Sequence, residues 1–452
     1  MLSVQIVMPD VIEPIDPSMR ALLVGTYVEA AERDEAASLL EELEELVRTL
    51  GLTIGERMMV HHREKHARLL LGSGKAEEIA RLAETNGYDV IIFDHELTPS
   101  QQRNWETLSG RAVIDRQEVI LDIFARRAQT REARLQVELA RAEYYLPRLT
   151  RAWGHLVRQG GGIGGRGEGE SQLEQDKRRL RGQVDRLRRE LVEVRESRAT
   201  QRKDRQRTPV PNAAIVGYTN AGKSSLLRRL TGADVLVEDK LFATLDTTTR
   251  RIDLPNKQPL LLTDTVGFVR RLPHRLVEAF NATLEEAVVA DFLIHVLDAS
   301  QPAVLDFYQT TMKVLGELGA GNRPTLVVFN KIDRVQDSGL IANLRRHFPE
   351  ALFVSVQTGE GMDALIERIS DWVAKSATTC RLELPSAHGN VLAQLHREAK
   401  VHDVEYRGDS VFVTASLTKG LREKLAEFVL DDRPETAAAP QLTGREKVSV
   451  TI

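Results

Sequence analysis

The chain has 452 residues, 42% of them apolar and 28% charged, too long for one compact core and too apolar for a disordered polymer. A single cysteine, Cys380, excludes an intrachain disulfide framework, and with no apolar run of roughly eighteen residues a membrane-spanning helix is excluded too. The net charge of −4 is unevenly spread: Arg126–Arg207 holds 22 Lys+Arg against 12 Asp+Glu, so the remainder carries −14. A basic segment inside an acidic protein fits one localised anionic partner, nucleic acid first; a solvated helical surface of Arg–Glu pairs fits it equally. The N-terminus, MLSVQIVMPDVIEPIDP, lacks the basic-then-apolar order of a secretory signal, so the cytoplasm is the expected location.

Residues 1–125 read as an α/β domain. ALLVGTYV, RMMVHH and VIIFD are strand-like runs, separated by an amphipathic helix over Asp34–Leu50 and a second over KAEEIARLAETNG. Such alternation implies a parallel sheet with helical crossovers. Residues 126–207 form the basic linker, expected as two antiparallel helices: one continuous from Glu118 to about Leu149, one from Gln172 to Arg202. Between them RQGGGIGGRGEGES (158–171) carries seven glycines and cannot be regular helix. Leu173, Leu180, Val184, Leu187, Leu191 and Val194 make one apolar stripe, read as packing. Thr208-Pro-Val-Pro then opens a second α/β domain (208–376), whose strands are NAAIVGY, PLLLTDT, FLIHVLDAS, PTLVVFN and LFVSVQ. A small α+β domain (377–432) follows as strand, helix, two strands and a closing helix over GLREKLAEFV; residues 433–452 are expected to be disordered.

The chemistry lies in the second α/β domain. GYTNAGKSS (217–225) follows a strand and precedes a helix, the context a phosphate-binding loop requires. Gly217 and Gly222 let the backbone of Tyr218, Thr219, Asn220 and Ala221 wrap the phosphates. Lys223 would charge-match the β- and γ-phosphates, Ser224 would ligate Mg2+, and Ser225 continues the helix. DTVGF (264–268) supplies Asp264 on the metal side and the Gly267 N–H toward the γ-phosphate. NKID (330–333) selects guanine: the Asp333 carboxylate pairs with the N1–H and amino group that adenine lacks, Asn330 takes the other edge, and the Lys331 stem covers the ring. SVQTG adds Ser355, Val356 and Gln357 around the base. In LFATLDTTTR, Phe242, Ala243 and Thr244 would close over the nucleotide, with Thr244 the metal ligand and Thr248 second in line. Phe268 stands where many GTPases place a water-orienting Gln, so a partner surface, or K+ held through Asn220, must complete catalysis. Lys223, Asn220, Thr244 and Gly267 are therefore the candidate catalytic groups, with Ser224, Thr244 and Asp264 around Mg2+.

Residues 131–180 resemble the helical linker of the HflX family of GTPases, LLLGSGKAEEI and IIFDHELTPSQQRNWE its N-terminal domain, and FATLDTTTR and DTVGFVRRLPHRLVEAFNATLEE its two switches. The family usually has Pro where Glu168 and Thr247 stand, and Thr in place of Ser171. The resemblance implies a ribosome-associated GTPase that binds the large subunit and, with GTP, separates stalled or idle ribosomes. The glycine loop would then enter rRNA, with Arg158 and Arg166 on phosphates and Gly161, Gly162 and Gly164 giving close approach. Gly72–Lys75 is a fragment of a phosphate loop or simply a strand-to-helix turn. The rival readings are an RNA-binding factor that uses GTP as a gate without turnover, and a partner of RNA modification. A monomer is expected.

Overall fold

The computed structural model describes residues 15–149, 168–206, 210–232, 241–242, 244–256, 258–271, 286–375, 378–417 and 419–432. Arg158, Gly161, Gly162, Gly164, Arg166 and Ala243 lie outside these residues, as does the tail after 432.

The N-terminal unit runs β1 (Arg20–Tyr27), α1 (Arg33–Leu50), β2 (Thr53–His61), α2 (Ser73–Thr85), β3 (Val90–Phe93), α3 (Pro99–Ser109), β4 (Ala112–Asp115) and α4 (Arg116–Arg127). Its sheet is parallel, in the order β2-β1-β3-β4. Helix α1 buries Leu39, Leu40, Leu43, Leu46, Val47 and Leu50, a stripe at helical spacing, and stops at Gly51 in the left-handed region. Gly72–Lys75 opens a helix: Gly72 is the N-cap of α2, Gly74 and Lys75 lie in its first turn, and Lys75 pairs with Glu78 three residues on. Sequence periodicity passed over α3 and β4. The strand is only four residues long, and the helix opens on a Thr98–Gln101 capping box with Pro99 in its first turn.

The long helix expected from Glu118 is broken. Helix α4 stops at Arg127, and α5 (Arg131–Tyr145) starts afresh with the Thr130 hydroxyl accepting the Ala133 N–H. This elbow at 128–130 joins the N-terminal unit to the linker without glycine or proline. Helix α6 (Glu168–Gln206) returns along α5, burying Leu180, Val184, Leu187 and Leu191 against Leu135, Ala142 and Leu149.

A polar network fixes the root of α5. Asp115, fully buried, accepts the Leu97 and Glu118 N–H groups and the Tyr144 hydroxyl, while the Arg148 guanidinium stacks 3.7 Å from the Tyr144 ring centroid. Burial pushes the Asp115 carboxyl up to about 6. Its charged form is thus disfavoured on folding, so this group's stability contribution should be complete below pH ~4 and fall as pH rises toward 6. Urea midpoints between pH 4 and 7, compared in wild type and Asp115→Asn, check this: the wild-type decline should flatten in the variant.

The second α/β unit contains β5 (Asn212–Gly217), α7 (Lys223–Thr231), β6 (Thr248–Asp253), β7 (Pro259–Asp264), β8 (Phe292–Asp298), α8 (Val304–Glu317), β9 (Thr325–Asn330), α9 (Ser338–His347), β10 (Leu352–Phe353) and α10 (Met362–Lys375). Its sheet runs β10-β9-β8-β5-β7-β6, parallel except for β6. The five strands read from the sequence are there; β6, with its run of polar residues, is an edge strand that the apolar pattern could not show. Its core is not self-contained. Leu241, Phe242, Leu245, Val266 and Phe268 pack in one apolar cluster with Leu43, Val47, Ile120 and Phe124 of the N-terminal unit.

The last unit is β11 (Thr378–Pro385), α11 (Gly389–Glu398), β12 (Lys400–Arg407), β13 (Ser410–Leu417), α12 (Lys419–Lys424) and β14 (Val429–Asp432), in the sheet order β12-β13-β11-β14. This is the split βαβ arrangement. The closing helix is shorter than expected, and Val429–Asp432 forms a strand against β11. Cys380 is buried in this small core.

Candidate nucleotide site

The phosphate loop leaves the C-terminal end of the central strand β5, and two glycines make its path possible. A Cβ on Gly217 would stand 2.1 Å from the Val296 carbonyl, and one on Gly222 would stand 2.3 Å from Asn330 Nδ2. Both have φ in the left-handed region, as does Asn220 at +58°. Lys223 is buried at the start of α7 and donates to the Tyr218 carbonyl at 2.8 Å. Burial drives its ammonium down to about 8, a cost that polyphosphate charge would reverse. Ser225 follows, half-buried in the first turn.

Three oxygens converge beside the lysine. Ser224 Oγ donates to Asp264 Oδ2 at 2.6 Å, Thr244 Oγ1 donates to the same atom at 2.9 Å, and the two hydroxyls are 2.6 Å apart. Asp264 Oδ1 is buried without a hydrogen-bond partner. Hydroxyl and carboxylate oxygens with an orphaned acceptor fit a small hard cation such as Mg2+. Thr248 is instead the first residue of β6, paired opposite Asp264 in the ladder.

The DTVGF segment lies along the phosphate loop. Thr219 N–H donates to the Phe268 carbonyl at 2.7 Å, and Phe268 N–H to the Gly217 carbonyl at 3.1 Å. A Cβ on Gly267 would meet Thr219 Cα at 2.7 Å and Lys223 Nζ at 3.0 Å, so only glycine brings this backbone so near the phosphate position. The Phe268 ring is 2% exposed and belongs to the core shared with the N-terminal unit. The residue in the Gln position is thus a packing group.

The two segments expected around the base follow the ends of β9 and β10. Asn330 Nδ2 donates to the Ala221 carbonyl at 2.9 Å and its Oδ1 accepts Val356 N–H at 3.1 Å, tying the phosphate loop to the SVQTG loop. Lys331, at φ +62°, extends to Asp298 Oδ2 at 2.8 Å. Asp333 is exposed in the short turn that follows, and Gln357 is exposed as well. Ser355 is buried, its hydroxyl accepting the Thr358 N–H.

Several functional neighbours were invisible in the sequence. Tyr218 stacks on Phe307 at a 4.0 Å centroid distance and donates its hydroxyl to Glu42 of α1 at 2.7 Å. Glu42 also takes Arg270 Nε at 2.8 Å and pairs with the buried Arg116 at 2.8 Å. Asp94 accepts from Arg116 at 2.5 Å and from Arg271 at 2.9 Å. The residues just after DTVGF are therefore clamped to the N-terminal unit. No local motif marks Glu42 or Asp94.

With this geometry established, relatives place the chain. Residues 37–125, 127–205 and 212–331 match families described as GTP-binding GTPase N-terminal, GTP-binding GTPase middle region and 50S ribosome-binding GTPase. A GTPase HflX from Akkermansia muciniphila is 49% identical over 91% of this chain and 97% of its own. The GTPase HflX of Escherichia coli is 41% identical over 84% of this chain and 89% of its own. Among solved structures, the GDP complex of a protein named SsGBP covers 78% of this chain and 98% of its own at 25% identity, with a TM-score of 0.44. The three family matches follow one another from residue 37 to 331, and both relatives align with more than four-fifths of the chain: the chain belongs to the HflX family of GTPases and binds and hydrolyses GTP.

Proposed function

We propose that the protein is a GTP-dependent switch acting on the large ribosomal subunit, which in its GTP form separates stalled or idle ribosomes. The observation that carries this reading is the direct attachment of both nucleotide-sensing segments to the other units: Arg270 and Arg271 to Glu42 and Asp94, and Asp246 to the elbow at Thr130. A γ-phosphate that draws in Gly267 and Thr244 must pull on these contacts, so nucleotide state is converted into the attitude of the N-terminal unit and linker. The linker's positive surplus suits rRNA, with Arg158, Gly161, Gly162, Gly164 and Arg166 of its glycine-rich sequence as the proposed contacts.

In this reading Ser224, Thr244 and Asp264 hold Mg2+, and Lys223 neutralises the transferring phosphate. The metal supplies charge stabilisation of the phosphoryl group. Asn330, Lys331 and Asp333 read the guanine, and Ser355, Val356 and Gln357 close the pocket. Phe268 cannot orient water, so docking on the subunit, or K+ beside Asn220, completes catalysis. GTP turnover measured in KCl and in NaCl, with and without purified large subunits, tests this. Stimulation by subunits is expected, with a further gain in KCl. A basal rate in the presence of demonstrably bound subunits would favour an RNA-binding factor that uses GTP only as a gate.

A further inference from the structure

Thr244 is held from both sides by residues that touch the elbow between α4 and α5. Two residues before it, Phe242 adopts φ +55°, is 1% exposed, and meets the Phe124 ring of α4 edge-on at 4.6 Å. Its N–H donates to Thr219 Oγ1 at 2.8 Å. Two residues after it, Asp246 spends both carboxylate oxygens on the start of α5. Oδ2 accepts the N–H groups of Gln129 and Thr130 at 3.0 and 3.1 Å, and Oδ1 accepts the Thr130 hydroxyl at 2.5 Å. An ionised carboxylate at a helix N-terminus, satisfied by three donors, is a stable anchor. A phenylalanine in the left-handed region is a strained one, kept there by its packing. Leu245 between them is buried in the same apolar cluster as Ala128 of the elbow and Ala133 and Val137 of α5.

We infer that Asp246 is a positioning residue for GTP hydrolysis: by binding the Gln129 and Thr130 N–H groups and the hydroxyl of the capping Thr130, just ahead of α5, it holds Thr244 at the metal, so the elbow sets this switch segment in advance of the nucleotide. The inference rests on reading Thr244 as a metal ligand. Its physical content is that part of the entropic cost of ordering the segment is met by contacts already made to α5. Tilting α5 at its root would withdraw Thr244 from Ser224 and Asp264. The linker and the metal site are then coupled through Asp246, beside the apolar contacts of Phe242 and Leu245.

The test is the Mg2+ dependence of two readouts in the full-length protein, binding of a fluorescent non-hydrolysable GTP analogue and the initial GTPase rate, for wild type and Asp246→Ala, Asp246→Asn, Thr244→Ala and Asp253→Ala. Asp246→Ala should raise half-saturating Mg2+ by about five-fold, the scale of one lost hydrogen bond, and lower kcat more than it raises KM for GTP. Asp246→Asn keeps an acceptor for the two N–H groups and should recover much of the loss, which a merely destabilised fold would not show. Thr244→Ala should shift the Mg2+ curve further, and Asp253→Ala, on the exposed edge strand, should leave it in place. If Thr244→Ala leaves the curve unmoved, the metal-ligand reading itself fails. If Thr244→Ala moves it and Asp246→Ala does not, Asp246 has no positioning role and the proposal is overturned.

Discussion

Replacing Asp333 by Asn should turn the protein's preference from GTP toward xanthosine triphosphate. The carboxylate offers two acceptors to the guanine N1–H and amino group; the amide offers one acceptor and a donor, which suits the xanthine C2 carbonyl instead. Leaving the guanine amino group facing an NH2 group costs roughly 2–3 kcal/mol, so GTP affinity should fall on the order of 100-fold. Competition of xanthosine triphosphate against a fluorescent GTP analogue measures both changes at once. Asp333 sits exposed on a short turn, so the variant should fold normally. An unchanged guanine preference would remove Asp333 from the base pocket.

The largest expected loss of stability is at Glu42, far from any nucleotide motif. Its carboxylate serves the Tyr218 hydroxyl and the Arg270 and Arg116 guanidinia, and Arg116 is 2% exposed. Glu42→Ala leaves two cations short of a partner, one of them buried, with an expected cost of about 3 kcal/mol. Arg116 retains Asp94, which keeps the loss from growing further. Glu44→Ala two positions on, which removes a pair with the exposed Arg57, should cost under about 1 kcal/mol. Urea unfolding of the two variants side by side gives the comparison. Equal midpoints would mean that the Glu42 cluster adds nothing to stability.

These two sites also show what a sequence discloses. Asp333 can be proposed from the sequence because NKID is a contiguous motif whose expected chemistry lies within four residues, and Gly217, Lys223 and Asp264 likewise lie in contiguous motifs at the ends of strands of one sheet. Thr244 was separable from Thr248 only through the structure, where one reaches Ser224 and the other enters the β6 ladder. Glu42 meets Arg270 across 228 positions, and nothing local distinguishes it from its neighbours Glu41, Glu44 and Glu45. The elbow was hidden for a different reason. Ala128-Gln129-Thr130 contains no residue that forbids helix, and the break is made by the Thr130 cap and by Asp246, more than a hundred residues away. Strand β14 was missed because four residues at the edge of a polar tail carry too little periodicity.

The apolar cluster in which Phe242, Val266 and Phe268 meet Leu43, Ile120 and Phe124 gives the molecule a thermal signature. Parting the N-terminal unit from the nucleotide-binding unit would hydrate that surface, and hydration of apolar groups raises heat capacity. Opening should therefore carry a positive heat-capacity change, and the closed arrangement should lose part of its advantage on cooling as the hydrophobic contribution fades. A ligand that pries the units apart would bind with an enthalpy that climbs with temperature, opposite in slope to one that merely buries a new interface. Titration calorimetry at several temperatures would tell the two apart.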